Sequence, residues 1–236
     1  LSGEALEEHQ SWSQRQAISN EPIFNSQGTK LTSSLFRPLL TATDSQLLRL
    51  FMEGLDTITY WYRSGRFIPG ILPMPAQHLA SSSFIDALSD LILNSRLPVG
   101  LVSLGIHKLK NADSLESCME GVLRMRRLGV LNHLLDFSGP SSQIRWVEEI
   151  EPEGIHIEMG QFRVDGLPNE MISLGEKFNT QIYASNITLV KDLENVMAMG
   201  AHHSYGGLMM PPVSRHQMLH ISDSPVSYTH LRAHET

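Results

Sequence analysis

Short apolar segments alternate with longer amphipathic stretches from residue 21 to about residue 207. The short segments predict buried strands, and the longer stretches have the three-to-four-residue apolar spacing that is typical of helices. In the stretch 189–200, for example, Leu189, Leu193, Val196 and Met197 share one helical face. The predicted strands are 21–24, 30–36, 66–73, 99–106, 130–137, 154–160, 180–187 and 202–207, and the predicted helices are 43–65, 80–96, 113–129, 141–150, 169–178 and 189–200.

This regular alternation predicts an α/β fold in which a parallel sheet is connected by helical crossovers. Several predicted helices begin at Ser, Thr, Asp or Asn and end near Gly, as helix capping requires. At 236 residues and 41% hydrophobic content, the chain can bury one sizeable core. Eight strands in one domain of this size favour a modified (β/α)8 TIM-like barrel over an open sheet.

Composition narrows the classes of partner and compartment. The formal net charge of −7 argues against a nucleic-acid partner or an anionic membrane surface. The single cysteine, Cys118, excludes an internal disulfide framework and suits a reducing compartment. It lies inside a helical pattern, which favours an apolar packing role over a nucleophile. No apolar run reaches the roughly 18–20 residues of a membrane-spanning helix. We therefore expect a cytoplasmic domain, whose full-length protein could be membrane-anchored upstream.

Both ends of the chain predict a fragment. The sequence begins at Leu1 rather than Met, and the polar, helix-prone residues 1–20 resemble a connector from an upstream domain. Residues 226–236 (VSYTHLRAHET) match the translation of a transposon-type sequencing-library adapter, so the histidines in that tail are not a metal site. We expect a barrel domain over 21–220 and a disordered tail over 221–236.

One carboxylate stands at a position where barrels keep catalytic groups. In LGVLNHLLDFSGPSS (128–142) a hydrophobic segment ends at Asp136, and a Gly/Pro/Ser turn precedes the next helix. The carboxyl ends of barrel strands carry the active sites of such folds. Asp136 therefore belongs either to a working site or to the relic of one.

Six blocks of the chain share their order and spacing with one family. EPIFNSQGTKLTSSLFR looks like QPI…G…ExLxR, ILPMPAQHL like VNLSPAQL, and LVSLGIHKL like the LEITE strand. LGVLNHLLDFSGPSSQI looks like LGVxxALDDFGTGYSSL, IEPEGIHIE like LPxDxxKID, and IYASNIT…MGAHHSYGGLMMPPVS like IAEGVET…LG…QGYLFSRP. Over about residues 20–215 the chain thus resembles the EAL family, bacterial phosphodiesterases that linearise cyclic di-GMP on a modified (β/α)8 barrel. The literal triplet Glu4-Ala5-Leu6 precedes the first strand and has no part in this resemblance.

The resemblance also implies which residues stand at the family's metal and catalytic positions. Active members use two Mg²⁺ or Mn²⁺ ions, which need carboxylate and carbonyl oxygens. Asp136 keeps the second acid of DDFG. The other positions have lost the family's residue: Ser33 or Ser34, Leu72, Gly105, Leu135, His156, Ser185, Thr188 and Tyr205. The resemblance therefore implies no catalytic residue, no metal ligand set and no cofactor.

Residual ligand contacts form a second set of expectations. Arg37 matches the arginine of ExLxR, Leu35 and Pro212 match apolar positions near the bound bases, and Asp136 and His156 complete the candidate binding set. Glu21 in place of the QPI glutamine, and a short segment between Arg37 and Leu72, argue against tight binding of an anionic dinucleotide. A different chemistry also stays open, because His107, His133, His156 and Asp136 could form a zinc site.

These observations favour a catalytically inactive EAL-like domain that acts as a regulatory or protein-interaction module in cyclic di-GMP-type signalling. A protein partner or an upstream signalling domain is expected, with weak cyclic di-GMP binding and dimerisation left open. An active phosphodiesterase with shifted ligands, a non-hydrolysing receptor and an unrelated α/β domain are the alternatives. We expect Asp136 either to pair with His156 at the barrel mouth or to cap the next helix at Ser141 and Ser142.

Overall fold

Eight strands close into a barrel in the order in which they occur in the chain. The structure is a computed structural model that describes residues 19–25, 30–36, 43–109, 115–139, 141–160 and 167–221. The strands are β1 (Asn20–Asn25), β2 (Leu31–Phe36), β3 (Gly70–Pro75), β4 (Val102–His107), β5 (Leu131–Leu134), β6 (Gly154–Glu158), β7 (Gln181–Ser185) and β8 (His203–Ser204).

Helices cover the outside of this barrel. They are α1 (Asp44–Arg63), α2 (Ser82–Ser95), α3 (Leu115–Arg127), α4 (Ser141–Ile150), α5 (Leu167–Phe178), α6 (Val190–Ala198) and α7 (Arg215–Leu219), with a 3₁₀ helix at Ala76–Ala80. The α/β barrel predicted from the sequence is confirmed, and each predicted strand and helix overlaps an observed one. The 3₁₀ helix and α7 were not predicted. No helix in the described part of the chain is long and apolar enough to cross a membrane.

The first strand departs from the expected parallel sheet. β1 is antiparallel to both of its neighbours, β2 and β8, whereas the other neighbouring strands are parallel. Residues 26–30, which connect β1 to β2, are too few for a helical crossover, so the two strands can only form a hairpin. The barrel is therefore modified at this one strand.

Two apolar cores stabilise the fold. The larger core lies between strands and helices, where Leu72 of β3 packs against α1 so closely that a Cβ atom at Gly54 would lie 2.3 Å from its Cδ2 atom. A smaller cluster, separate from the larger core, fills the barrel interior; we call it the interior plug. Its members are Ile23, Leu35, Ile71, Leu135, Tyr183 and Tyr205, each at most 7% exposed.

Cys118 is buried in α3, and its thiol donates to the Ala76 carbonyl at 3.3 Å. This placement agrees with the packing role expected for it. Arg37, most of the expected connector and the tail after Ile221 lie outside the described residues.

Candidate functional site

Polar residues surround the mouth of the barrel, where the parallel strands end. Lys108, Asp136 and Asn186 follow β4, β5 and β7, and all three have a left-handed backbone with φ of 55°, 53° and 59°. Glu158 is the last residue of β6. Non-glycine residues seldom adopt positive φ, so these three strand ends share an uncommon and costly backbone conformation.

One carboxylate of this rim raises the pKa of another. Asp136 and Glu158 are both exposed, and the Asn186 amide donates to Glu158 Oε1 at 3.2 Å. Partial burial and the neighbouring Glu158 raise the pKa of Asp136 above its ordinary value, while Lys108 opposes the shift. Like charges disfavour joint ionisation, whereas a cation favours it. The rim is thus acidic, with one described lysine that partly compensates it.

Directly below the rim, the interior is apolar. A Cβ atom at Gly105 would lie 2.7 Å from Leu135 Cδ1 and 3.0 Å from Ile71 Cγ2, so Leu135 fills the space that a side chain at residue 105 would need. Gly105 and Leu135 stand at two positions where the resemblance implies acidic metal ligands. In this chain one has no side chain, and the other packs into the resulting space.

His156 lies in the middle of the interior with both ring nitrogens occupied. Its Nε2 atom is 3.1 Å from His133 Nδ1, and its Nδ1 atom is 2.9 Å from Tyr205 Oη. Burial, followed by the adjacent histidines, lowers the pKa of His156 well below its ordinary value, and burial lowers the pKa of His133 to about 3. Both rings are therefore neutral at pH 7, and each can donate one proton and accept one.

A second group of polar residues lies deeper in the barrel. The Tyr183 ring is stacked between His156 and His203, with ring centroids 4.4 Å and 4.3 Å apart. His203 Nε2 is 2.6 Å from Gln181 Oε1, and His203 Nδ1 is 3.1 Å from Thr32 Oγ1. Burial lowers the pKa of His203 to about 4. His203 is half-buried, whereas its neighbour His202 is exposed.

The expected pair between Asp136 and His156 is wrong. His156 uses both nitrogens on His133 and Tyr205, and no atom remains to reach Asp136 directly or through a water. Capping by Asp136 is not found either. Gln143, in the first turn of α4, accepts from the Ser138 backbone N–H at 2.9 Å and from its hydroxyl at 3.3 Å. Among the described residues, Asp136 forms no side-chain hydrogen bond.

The position assigned to Leu72 also needs correction. The resemblance placed Leu72 where the family has a metal-binding asparagine, which must face the mouth. In the structure Leu72 faces α1, and its neighbour Ile71 belongs to the interior plug. Successive strand residues alternate between faces, so Ile71 and Pro73 are the inward residues of β3. Neither carries a side-chain oxygen, so the loss of this ligand does not depend on the register.

The alternative zinc site is contradicted. His107, His133, His156 and Asp136 all lie in the described part of the chain, which contains no group of three His, Cys, Asp or Glu residues able to hold a metal ion. His133 and His156 face each other instead. Burial, Lys108 and His78 lower the pKa of His107 to about 4.

The residues present do not fit the two cations that the resemblance implies. Among the described residues, the carboxylates at this end of the barrel include Asp136, Glu158 and Glu21, the last of which is near enough to Tyr205 to raise its pKa. Apolar side chains and a hydrogen-bonded histidine occupy other positions of the implied ligand set. Glu158 was not predicted from the sequence as a residue of this site. Strand periodicity could have found it, because Glu158 lies two residues after His156 and therefore on the same face.

The other candidate binding residues lie in three settings. Leu35 belongs to the interior plug and is 7% exposed. Pro212 is half-buried beside Val213, which forms two backbone hydrogen bonds with Asn20 at the start of β1. Arg37 lies outside the described residues. The structure thus brings Leu35 into the same cluster as Tyr205, to which His156 is hydrogen-bonded.

Comparison of the sequence with family models and with curated proteins gives no match. Comparison with solved structures gives matches to EAL domains. The EAL domain of Mycobacterium smegmatis DcpA aligns over 87% of this chain and 94% of its own, with a TM-score of 0.76 and 15% identity.

The PaMucR phosphodiesterase in its c-di-GMP complex aligns over 91% of this chain and 98% of its own, with a TM-score of 0.75 and 15% identity. The Xanthomonas citri FimX EAL domain in complex with c-diGMP aligns over 89% and 97%, with a TM-score of 0.69 and 13% identity. The architecture expected from the six sequence blocks is confirmed: this chain has the fold of the EAL domains.

Proposed function

We propose that this chain is a non-hydrolysing EAL-type barrel that acts as a regulatory, protein-interacting module in cyclic di-GMP signalling. One observation carries the proposal: Leu135 packs over Gly105 at the place where two acidic metal ligands are implied. Two-metal hydrolysis of a phosphodiester needs oxygen ligands that hold both cations and activate a water. An apolar plug offers no such ligand.

Three of the other substitutions support the same proposal because their polar groups have partners within the protein, although the buried Ser33 and Ser34 hydroxyls have none among the described residues. His156 and Tyr205, which replace the implied lysine and glutamine, are hydrogen-bonded at 2.9 Å. The Ser185 hydroxyl, in place of an implied glutamate, donates to the Ile157 carbonyl at 3.3 Å. Buried polar groups that have lost a metal need new partners.

Cyclic di-GMP is the nucleotide to test, because the PaMucR and FimX structures are complexes with it. We expect weak binding at most. Asp136 and Glu158 place two carboxylates at the mouth without the cations that would offset the phosphates of the ligand. A non-hydrolysing receptor is the second candidate function, and the inward position of Leu35 at the plug favours it.

Hydrolysis tests the proposal. The 236-residue chain is incubated with cyclic di-GMP and either Mg²⁺ or Mn²⁺, with an active EAL phosphodiesterase as positive control, and linear pGpG is measured by chromatography. We expect no product above a metal-free sample. Metal-dependent product that Asp136→Ala abolishes would show an active enzyme and overturn the proposal.

Calorimetry with cyclic di-GMP separates the two non-hydrolysing functions. Affinity weaker than about 100 μM, roughly −5.5 kcal/mol, is expected for an interaction module. Sub-micromolar affinity that falls in Leu35→Asp but not in Leu93→Asp, at a side chain that is 59% exposed, would instead establish a receptor.

A further inference from the structure

The barrel end opposite the mouth carries arginines and exposed apolar side chains on three neighbouring loops. These loops join α1 to β3, α2 to β4 and α3 to β5. We call the set the loop patch. It consists of Arg63 at the end of α1, Phe67 on the first loop, Arg96 and Val99 on the second loop, and Arg127 at the end of α3, immediately before the third loop, all of them exposed.

The two apolar residues of the loop patch are unusually exposed. Phe67 is 70% and Val99 is 79% exposed, the two highest values among the large hydrophobic residues that the structure describes. Each lies three residues before a strand, and the first residues of those strands, Gly70 and Val102, are paired. The two side chains therefore belong to corresponding points of adjacent loops.

The third loop adjoins the second. The Gly100 backbone N–H donates to the Gly129 carbonyl at 3.4 Å. A Cβ atom at Gly129 would lie 2.8 Å from Val99 Cγ2, so Val99 rests against the loop that follows Arg127. The three loops thus form one continuous surface.

The charge of the loop patch is opposite to that of the whole chain. The chain carries a net charge of −7, whereas the three charged residues of the patch are arginines. The next loop, between α4 and β6, carries the exposed carboxylates of Glu151 and Glu153. The basic patch therefore ends on that side. Net charge is an average over the surface, so the sequence-based argument against an anionic membrane does not apply to this end of the barrel.

We propose that the loop patch binds an anionic lipid surface, with Phe67 and Val99 entering the headgroup region and the arginines contacting lipid phosphates. Exposed apolar side chains flanked by basic residues are the combination that anchors proteins at such interfaces. The patch residues come from three separate loops. A bilayer accepts such side chains without a matching shape, whereas a protein partner must supply one. Binding here leaves the barrel mouth facing away from the lipid.

Vesicle co-sedimentation of the intact chain tests this proposal. Vesicles of phosphatidylcholine with 30% phosphatidylserine are compared with pure phosphatidylcholine at low ionic strength. We expect partition into the anionic vesicles only, falling as salt is raised. Phe67→Ser should lower the partition coefficient about tenfold, and Arg96→Gln and Arg127→Gln about fivefold each.

Matched changes at the mouth end serve as controls. Leu189→Ser removes an apolar side chain that is 53% exposed, and Lys191→Gln removes an exposed positive charge. Both should leave partition within about twofold of the unchanged chain. Circular dichroism confirms that each variant is folded.

Absence of binding to the anionic vesicles would overturn the proposal, as would an equal loss in the control variants. Binding to poly-glutamate but not to vesicles would also overturn it, in favour of an acidic protein partner. None of these results bears on hydrolysis, so this proposal and the proposed function fail separately.

Discussion

Acidification should destabilise this barrel through the histidines inside it. Burial holds the pKa of His133 at about 3 and that of His156 well below 6.5, the ordinary value that both recover in the unfolded chain. At pH values between the folded-state pKa and 6.5, the unfolded chain binds protons on these histidines that the folded chain does not bind. Stability is therefore complete above pH 6.5 and is lost as the pH falls below that value.

The size of the loss follows from this difference. At pH 5.5 an unfolded imidazole with a pKa of 6.5 is about 90% protonated, which stabilises the unfolded chain by about 1.4 kcal/mol. The two buried rings together cost about 3 kcal/mol between pH 7.5 and pH 5.5. His107 and His203, with pKa values lowered to about 4, act in the same direction. A typical domain has only about 5–15 kcal/mol of stability to lose.

Urea denaturation at pH 7.5, 6.5 and 5.5, followed by tryptophan fluorescence, measures the effect. The double variant His133→Leu/His156→Phe should reduce the slope of unfolding free energy against pH by nearly two protons below pH 6. His133→Gln alone should reduce it by nearly one. His220→Gln, at an exposed position, should leave the slope within a few tenths of a proton. An unchanged slope in the double variant would refute the claim that these rings are neutral in the folded barrel.

Further predictions concern packing and hydrogen bonds. Leu135→Ala should lower stability by about 2–5 kcal/mol because it removes a large part of the interior plug. Gly105→Leu should be destabilising because its Cβ atom would overlap Leu135. Urea midpoints measure both effects, and midpoints equal to that of the unchanged chain would contradict this packing. Tyr205→Phe should cost about 1–3 kcal/mol by leaving His156 Nδ1 unpaired, whereas an unchanged midpoint would contradict that hydrogen bond. Gln143→Ala should lower stability by about 0.5–2 kcal/mol because it removes the hydrogen bonds from Ser138, while Asp136→Ala should change stability by less than about 0.5 kcal/mol. Urea midpoints in the reverse order would contradict this description of the turn before α4.

The barrel was predictable because its signals are local. Helices with an apolar face, such as α6, alternate with short apolar strands, and this order constrains the topology. The hairpin of β1 and β2 could also have been predicted, since its connection is too short for a helical crossover. Which residues of β3 face the barrel interior could not be predicted. Its sequence ILPMP is apolar at consecutive positions, so alternation could not distinguish inward Ile71 from outward Leu72.

The sequence predicted which residue types stand at the site better than it predicted which of those residues contact one another. The loss of acids at Gly105 and Leu135 was visible in the sequence, but the fit of one against the other depends on the spacing of β4 and β5. Asp136 could have faced inward or outward, and the choice depends on its left-handed backbone, which sequence does not reveal. The contacts of His203 could not be predicted, because a short polar strand start gives little sign of which residues it will meet.

We infer that the interior of this barrel cannot hold the pair of divalent cations that its resemblance to the EAL family implies. Titration of the chain with Mn²⁺, followed by electron paramagnetic resonance with and without cyclic di-GMP, tests that claim directly. We expect no Mn²⁺ site tighter than about 1 mM, roughly −4 kcal/mol. Two Mn²⁺ ions bound per chain at micromolar concentration, and lost in Asp136→Ala, would contradict it.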